Sequence, residues 1–204
     1  MLGSDYDPER VRFLNLQDCK NEIEEGLAMI AELQARMAQD TRVPLPLSAL
    51  RIAVKCGGSD SYSGITANPL VGRAADRFVG TGAAILMSEI PEVFGAEQLL
   101  LSHSVNRSVF DRAAGGNIAG GITTLEEKSL GCVQKAGRVP LCDALDWGEV
   151  PDGGGLYLVN GPGNDMVAKT ALAASGAHMI LFNTGRGTPL CAPVRATSQF
   201  SRTA

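Results

Sequence analysis

Apolar residues recur at three- and four-residue steps within residues 20–39. The members of this row are Ile23, Leu27, Ile30, Leu33 and Met37. The spacing predicts an amphipathic helix, because it places the apolar side chains on one face. The next segment contains Pro44 and Pro46, which break helical periodicity. We therefore predict an N-terminal helical segment and linker over residues 1–47, followed by an α/β catalytic-type domain over residues 48–204.

From residue 48 onward, short apolar runs alternate with helix-like segments. The candidate strands are residues 51–55, 83–88, 156–160 and 178–183, and the candidate helices are residues 68–81, 91–112, 123–136 and 164–175. The strand runs are continuously apolar, as is typical of parallel strands covered by helices on both faces. The pattern predicts an α/β fold: a Rossmann-like, mostly parallel sheet with flanking helices, preceded by the N-terminal amphipathic helix.

Composition narrows the classes of function. The chain has 204 residues, of which 45% are hydrophobic and 20% charged, as in an ordinary globular domain. The net charge of -4 comes without a basic stripe, so no nucleic-acid partner is expected. No apolar run reaches the roughly eighteen residues that a bilayer demands, and no signal peptide is evident, so we expect a cytoplasmic protein without a membrane partner. The 5 cysteines lack a C-x-x-C pair, which predicts reduced thiols.

Residues 55–72 follow the first candidate strand and are rich in glycine and small polar residues. Gly57, Gly58 and Gly64 let the backbone approach a bound group closely. The polar side chains of this segment are Cys56, Ser59, Asp60, Ser63, Thr66 and Asn68. On the pattern alone, a ligand-binding loop and a solvated structural turn fit equally well.

Every candidate strand ends in a polar or glycine-rich loop. These loops begin with Cys56–Asp60, Ser88–Glu92, Asn160–Asp165 and Asn183–Pro189. In a parallel sheet, loops at the carboxyl ends of the strands emerge at one edge, where ligands bind in open α/β folds. We therefore expect the loops to form one common site.

Five strings carry a family resemblance: Cys56–Asp60, Ser63–Pro69, Ser88–Glu92, Gly120–Gly131 and Phe182–Pro189. Their order and spacing over most of residues 45–195 resemble the altronate/galactarate dehydratase family. The resemblance implies a hydro-lyase that removes water from C2–C3 of a six-carbon sugar acid and leaves a 2-keto-3-deoxy acid. It also implies a divalent metal cofactor, Fe²⁺ or Mn²⁺.

The implied reaction needs a base, an acid and a group that stabilises the charge of an enediolate. On the resemblance, Glu89 and Glu92 are candidate metal ligands or catalytic groups, and Lys128 is a candidate base or carboxylate partner. Acidic residues are also favoured in a first helical turn by the macrodipole, so a structural role stays open for both glutamates. Cys56 is either a soft metal ligand or a small buried residue.

The predicted substrate-binding residues lie in two glycine-rich loops. They are Gly57, Gly58, Ser59, Asp60, Ser63, Thr66, Asn68, Thr184, Gly185, Arg186 and Gly187. Arg186 suits bidentate binding of a carboxylate, and a solvated surface turn is the alternative. Asn164 and Asp165 either close the site or cap the following helix, and capping is favoured for at least one of them.

Three of the cysteines and both histidines are interpreted as structural: Cys132, Cys142, Cys191, His103 and His178. The connection Phe110–Asn117 is shorter than the family pattern, and the sequence departs from that pattern after Val194. The resemblance therefore implies a shortened catalytic-type domain that pairs with a separate small N-terminal-type domain or subunit; a homo-oligomer is also compatible. Two alternatives stay open: the large subunit of sulfolactate sulfo-lyase, and a non-catalytic sugar-acid-binding remnant.

Overall fold

The computed structural model describes residues 7–57, 64–89, 96, 98, 102–106, 108–109, 126–184 and 196–201, with the backbone alone for 126–129 and 196–201. Its contacts divide the chain into two units, Met1–Leu45 and Pro46–Ala204. The assignment of residues 48–204 as a catalytic-type domain stays a prediction.

In the first unit, helix α1 spans Glu22–Met37. It begins where the Asn21 side chain accepts a hydrogen bond from the backbone N–H of Glu24, as an N-cap residue does. The apolar row of this helix remains largely exposed, with Ile23 at 70% and Leu27 at 60%. A helix is therefore present in the predicted segment, but burial of its apolar face, as expected of an amphipathic helix, is not confirmed.

The second unit contains a parallel sheet. Its strands are β1 Arg51–Gly57, β2 Ala84–Met87, β3 Leu141–Leu145, β4 Gly155–Val159, β5 Met179–Thr184 and β6 Ala196–Ser201. Their order across the sheet is β3-β4-β2-β1-β5-β6, and all neighbouring strands are parallel. The α/β class and the parallel sheet are thus confirmed.

Helices cover both faces of this sheet. They are α2 Ala67–Val79, α3 Glu126–Val133 with the 3₁₀ helix Gln134–Ala136 after it, and α4 Asp165–Ala174. On one face, Ile52 and Val54 pack in a core cluster with Val71 of α2; on the other, Ala53 packs with Leu172 of α4. Successive residues of β1 therefore point into two different layers. Within the described ranges, no helix combines the length and apolarity needed to cross a bilayer.

Two strands and one local pairing were not predicted. The search for apolar runs did not find β3 because Asp143 interrupts it, and it did not find β6 because this edge strand carries mostly polar residues. The helical pieces predicted near 91–112 fall mostly outside the described residues. Where that segment is described, Gln98, Ser108 and Val109 are helical, as predicted, whereas Ser104 forms a parallel β-bridge with Leu141.

The centre of the sheet contains a topological switch point between β1 and β5. The chain leaves β1 toward β2 on one side and leaves β5 toward β6 on the other. At the carboxyl ends of these strands, Cys56 pairs with Asn183 and Gly57 pairs with Thr184. Such a crevice is where open α/β folds bind ligands.

Candidate functional site

A lysine inside the central strand begins the candidate site. Lys55 of β1 is completely buried. Its Nζ donates hydrogen bonds to Glu89 Oε1, to Asp165 Oδ1 at 2.8 Å and to the backbone oxygen of Cys56 at 2.7 Å. A buried ammonium requires partners of this kind, because desolvation otherwise makes its charge very costly.

Glu89 lies two residues beyond the end of β2 and is also completely buried. Its Oε1 accepts from Lys55 and its Oε2 accepts from Lys135, so each carboxylate oxygen has an ammonium partner. The Glu89 backbone has a φ of 79°, and no other non-glycine residue in the described part of the chain has a positive φ. This conformation costs on the order of 1–3 kcal/mol, and such strain is concentrated at functional sites.

Lys135 binds the Glu89 carboxylate from the face of the sheet that α2 and α3 cover. Its Nζ also donates to Cys56 Sγ at 3.2 Å. The 3₁₀ helix that carries Lys135 packs directly on α2 at Gly72, where an added Cβ would lie 2.0 Å from the backbone oxygen of Gln134. Gly72 therefore permits the close approach that positions Lys135.

The electrostatics of the cluster keep both lysines charged. Burial disfavours the ammonium form of Lys55, but the nearby carboxylates of Glu89 and Asp165 outweigh burial and raise its pKa. Burial likewise opposes the charge on Lys135, and its electrostatic interactions with Cys56 and Glu89 nevertheless raise its pKa well above the ordinary lysine value. At neutral pH both side chains are therefore hydrogen-bond donors and positive charges, and neither is a base.

Cys56 connects this ion-pair cluster to helix α3. Its Sγ lies 3.4 Å from Cys132 Sγ and 3.6 Å from Glu89 Oε2. Both cysteines are buried. The interpretation of Cys132 as a packing residue is thus incomplete, because its sulfur contacts a predicted site residue.

An amide network lies beside the cysteines. Asn68 donates to the Gly131 backbone oxygen at 2.9 Å and accepts from Asn183 Nδ2. Two buried oxygens near the strand ends, Asn183 Oδ1 and Ser88 Oγ, have no hydrogen-bond partner in the described structure. Buried polar atoms of this kind are rare in proteins and commonly meet a ligand or water.

The loop after β4 contributes Asp165. Asn164 caps α4, since its side chain accepts from the backbone N–H groups of Met166 and Val167, which confirms capping for one member of this pair. Asp165 instead forms an ion pair with Lys55. Gly57 lies against this pair, because a Cβ there would be 2.9 Å from Asp165 Oδ2.

The predicted site residues are partly brought together. Cys56, Gly57, Glu89, Asn68 and Thr184 lie at or near the carboxyl ends of the strands, and Thr66 is exposed at the start of α2. Outside the described residues or side chains lie Gly58, Ser59, Asp60, Ser63, Glu92, Lys128, Gly185, Arg186 and Gly187. Their assigned roles stay predictions.

The residues around Glu89 do not fit a metal ion bound directly to that carboxylate. Both of its oxygens accept hydrogen bonds from ammonium groups, which repel a divalent cation. Moreover, the described part of the chain holds no group of three or more His, Cys, Asp or Glu side chains arranged as metal ligands. A metal site would therefore need ligands from segments such as the one that contains Glu92.

Sequence reasoning missed the lysines. Lys55 continues an apolar central strand, and a charged residue at such a position is a recognisable signal, because unpaired lysines are rarely buried. Lys169 stands among apolar helical residues and carries a weaker signal, and Lys135, between Gln134 and Ala136, carries a weaker one still. Lys169, also buried, lies 3.6 Å from the centre of the Phe182 ring in a cation–π contact. His178 makes a contact at the start of the sheet: its Nδ1 accepts a hydrogen bond from the backbone N–H of Arg51, the first residue of β1.

A parallel sheet with buried ionisable side chains at its switch point defines the class: an α/β domain with a candidate small-molecule site at the carboxyl ends of its strands. Comparison with known families gives a more specific assignment. The chain belongs to the D-galactarate/altronate dehydratase family, since the model of the C-terminal part of that family matches residues 47–115 and 108–201. The predicted family resemblance is confirmed.

Comparison with individual proteins leads to the same family. The chain is 45% identical to an altronate dehydratase of Escherichia coli and 44% identical to one of Bacillus subtilis, and each match covers 91% of this chain and 42% of the relative. It is 36% identical to the galactarate dehydratase (L-threo-forming) of Escherichia coli, over 89% of this chain and 40% of the relative. The chain thus spans less than half the length of these relatives.

Proposed function

We propose that this chain carries the site of a sugar-acid dehydratase of the altronate or galactarate type. The reaction would remove the proton at C2, next to the substrate carboxylate, and expel the hydroxyl at C3 as water. The resulting enol would tautomerise to a 2-keto-3-deoxy acid. The names of the relatives support the reaction class.

The observation that carries this proposal is the convergence of Lys55, Glu89 and Lys135 from separate segments at one end of the sheet. Loss of the C2 proton places negative charge on the substrate carboxylate as an enediolate. Preorganised ammonium groups in a water-poor site stabilise such charge strongly. An ammonium can also protonate the leaving hydroxyl.

In this proposal Glu89 is a positioning residue. Its carboxylate holds the two lysines in place and compensates their charge before substrate binds. The buried oxygens Asn183 Oδ1 and Ser88 Oγ, which have no hydrogen-bond partner in the described structure, would accept hydrogen bonds from substrate hydroxyls. A substrate without these hydroxyls would leave the oxygens unpaired, so the site would select for hydroxylated acids. The base that removes the C2 proton is then expected among side chains such as Glu92 and Lys128. The metal requirement implied by the family resemblance is a separate prediction.

An assay of product formation tests the proposal. The chain would be incubated with D-altronate, galactarate and sulfolactate, each with Fe²⁺, with Mn²⁺ and with a chelator. We expect a 2-keto-3-deoxy acid from altronate or galactarate, detected by mass spectrometry. Sulfite release from sulfolactate would favour the sulfo-lyase alternative. Sugar-acid binding without turnover under every metal condition would favour the non-catalytic alternative.

A further inference from the structure

Cys56 and Cys132 form a sulfur pair that joins the end of β1 to helix α3. Their Sγ atoms lie 3.4 Å apart, with both side chains buried. A disulfide needs an S–S distance of about 2.05 Å, so the two sulfurs have to approach by roughly 1.4 Å. Their positions are 76 residues apart in the chain, so the fold is what brings these thiols into contact.

The surroundings distinguish Cys56 from the other described cysteines. The ammonium of Lys135 donates to Cys56 Sγ at 3.2 Å, and a second thiol, that of Cys132, lies in contact with the same sulfur. In contrast, Cys19 Sγ faces the backbone oxygen of Asn15 at 3.2 Å, and Cys142 Sγ faces that of Pro140 at 3.8 Å.

We propose that Cys56 and Cys132 are a redox modification site, at which a small peroxide oxidises the two thiols to a disulfide. Hydrogen peroxide is the suitable class of oxidant, because it is uncharged and close to water in size. The disulfide would remove the sulfur acceptor of Lys135 and tie β1 to α3. Its effect on turnover rests on the proposed function, whereas its formation does not.

The chemistry balances in two steps. The Cys56 thiolate attacks one oxygen of the peroxide, forming an S–O bond as the O–O bond breaks, and the released hydroxide takes a proton to become water. Cys132 sulfur then attacks the sulfenic sulfur of Cys56, forming the S–S bond as hydroxide leaves and takes the Cys132 proton. Overall, two thiols lose two electrons and two protons, and one peroxide is reduced to two waters.

Thiol mapping tests the proposal without any activity measurement. The folded protein would be treated with hydrogen peroxide, alkylated in denaturant, and analysed by peptide mass spectrometry. We expect the count of alkylated cysteines to fall from 5 to 3, with a cross-linked peptide that joins Cys56 to Cys132. Dithiothreitol should restore the original count. Persistence of both free thiols, or a bond from Cys56 to another cysteine, would overturn the proposal.

Variants sharpen the test. Cys132→Ser should abolish the cross-link and leave Cys56 as a sulfenic acid that dimedone traps, whereas Cys142→Ser should form the cross-link as the wild type does. Circular dichroism would establish that each variant is folded.

Discussion

Lys135 and Glu89 form an ion pair between side chains that are both fully buried, although the residues are 46 positions apart in the chain. Lys55 binds the other oxygen of the same carboxylate from β1. The end of β2 is thereby tied to both the central strand and the 3₁₀ helix. We infer that Glu89 stabilises the fold around the site as well as organising its charges.

Replacing Glu89 should destabilise the second unit strongly. Glu89→Gln leaves two buried ammonium groups with one fewer negative charge, and breaking a buried ion pair in this way costs about 3 to 5 kcal/mol. Urea unfolding would measure the loss. Glu149→Gln, at an exposed glutamate, is the matched control and should cost about 1 kcal/mol or less.

A double variant separates the charge effect from packing. Adding Lys135→Met to Glu89→Gln removes one of the stranded charges, so the double variant should lose less stability than the sum of the two single variants. If the loss of unfolding free energy in the double variant equals the sum of the losses in the two single variants, the coupling inferred from the structure is wrong.

The stabilising effect of Lys135 should depend on pH. Its pKa is raised in the folded protein, so its contribution is fully present below the lysine pKa of the unfolded chain, about 10.4, and is lost as pH rises through the higher folded pKa. The difference in unfolding free energy between wild type and Lys135→Met should therefore be constant from neutral pH to about pH 10 and shrink above it. If this difference in unfolding free energy grows above about pH 10, the pKa of Lys135 is not raised in the folded protein.

The sequence predicted most of the central sheet because β1, β2, β4 and β5 are each built around a short apolar run. It failed at β3 and β6, since an edge strand needs less apolar surface and gives no such run. The convergence of the Cys56 loop, Glu89 and Asp165 followed from parallel strand order. By contrast, the pairing of Lys135 with Glu89 depends on how a 3₁₀ helix packs on α2, and no local pattern encodes that distance.

Gly72 should be sensitive to a single added methyl group. In Gly72→Ala the new Cβ would lie 2.0 Å from the Gln134 backbone oxygen, so the Lys135 segment has to move. Overpacking of this kind typically costs about 1 to 3 kcal/mol. Gly153→Ala is the matched control, because its Cβ meets Tyr157 Oη at 3.8 Å, and it should change stability by about 0.5 kcal/mol or less. Equal urea midpoints for the two variants would refute the packing role of Gly72.

Tyr157 offers a spectroscopic test of burial in the sheet. Desolvation, together with its hydrogen bond to Asp152 Oδ1 at 3.1 Å, raises the pKa of Tyr157 to about 12. Because a free phenol titrates near 10, folding stability linked to this group should decrease between about pH 10 and pH 12. The phenolate absorbance difference between wild type and Tyr157→Phe should show a midpoint of about 12. A midpoint near 10 would contradict the structure.

The site itself is tested most directly by the rate of 2-keto-3-deoxy acid formation in Lys135→Met, compared with wild type and with the exposed control Lys20→Met. Loss of a charge-stabilising donor typically lowers kcat by about 10²- to 10³-fold. We predict a fall of about 100-fold or more for folded Lys135→Met, with Lys20→Met unchanged. If folded Lys135→Met forms product as fast as the wild type, the lysine and glutamate cluster is not where the sugar acid reacts.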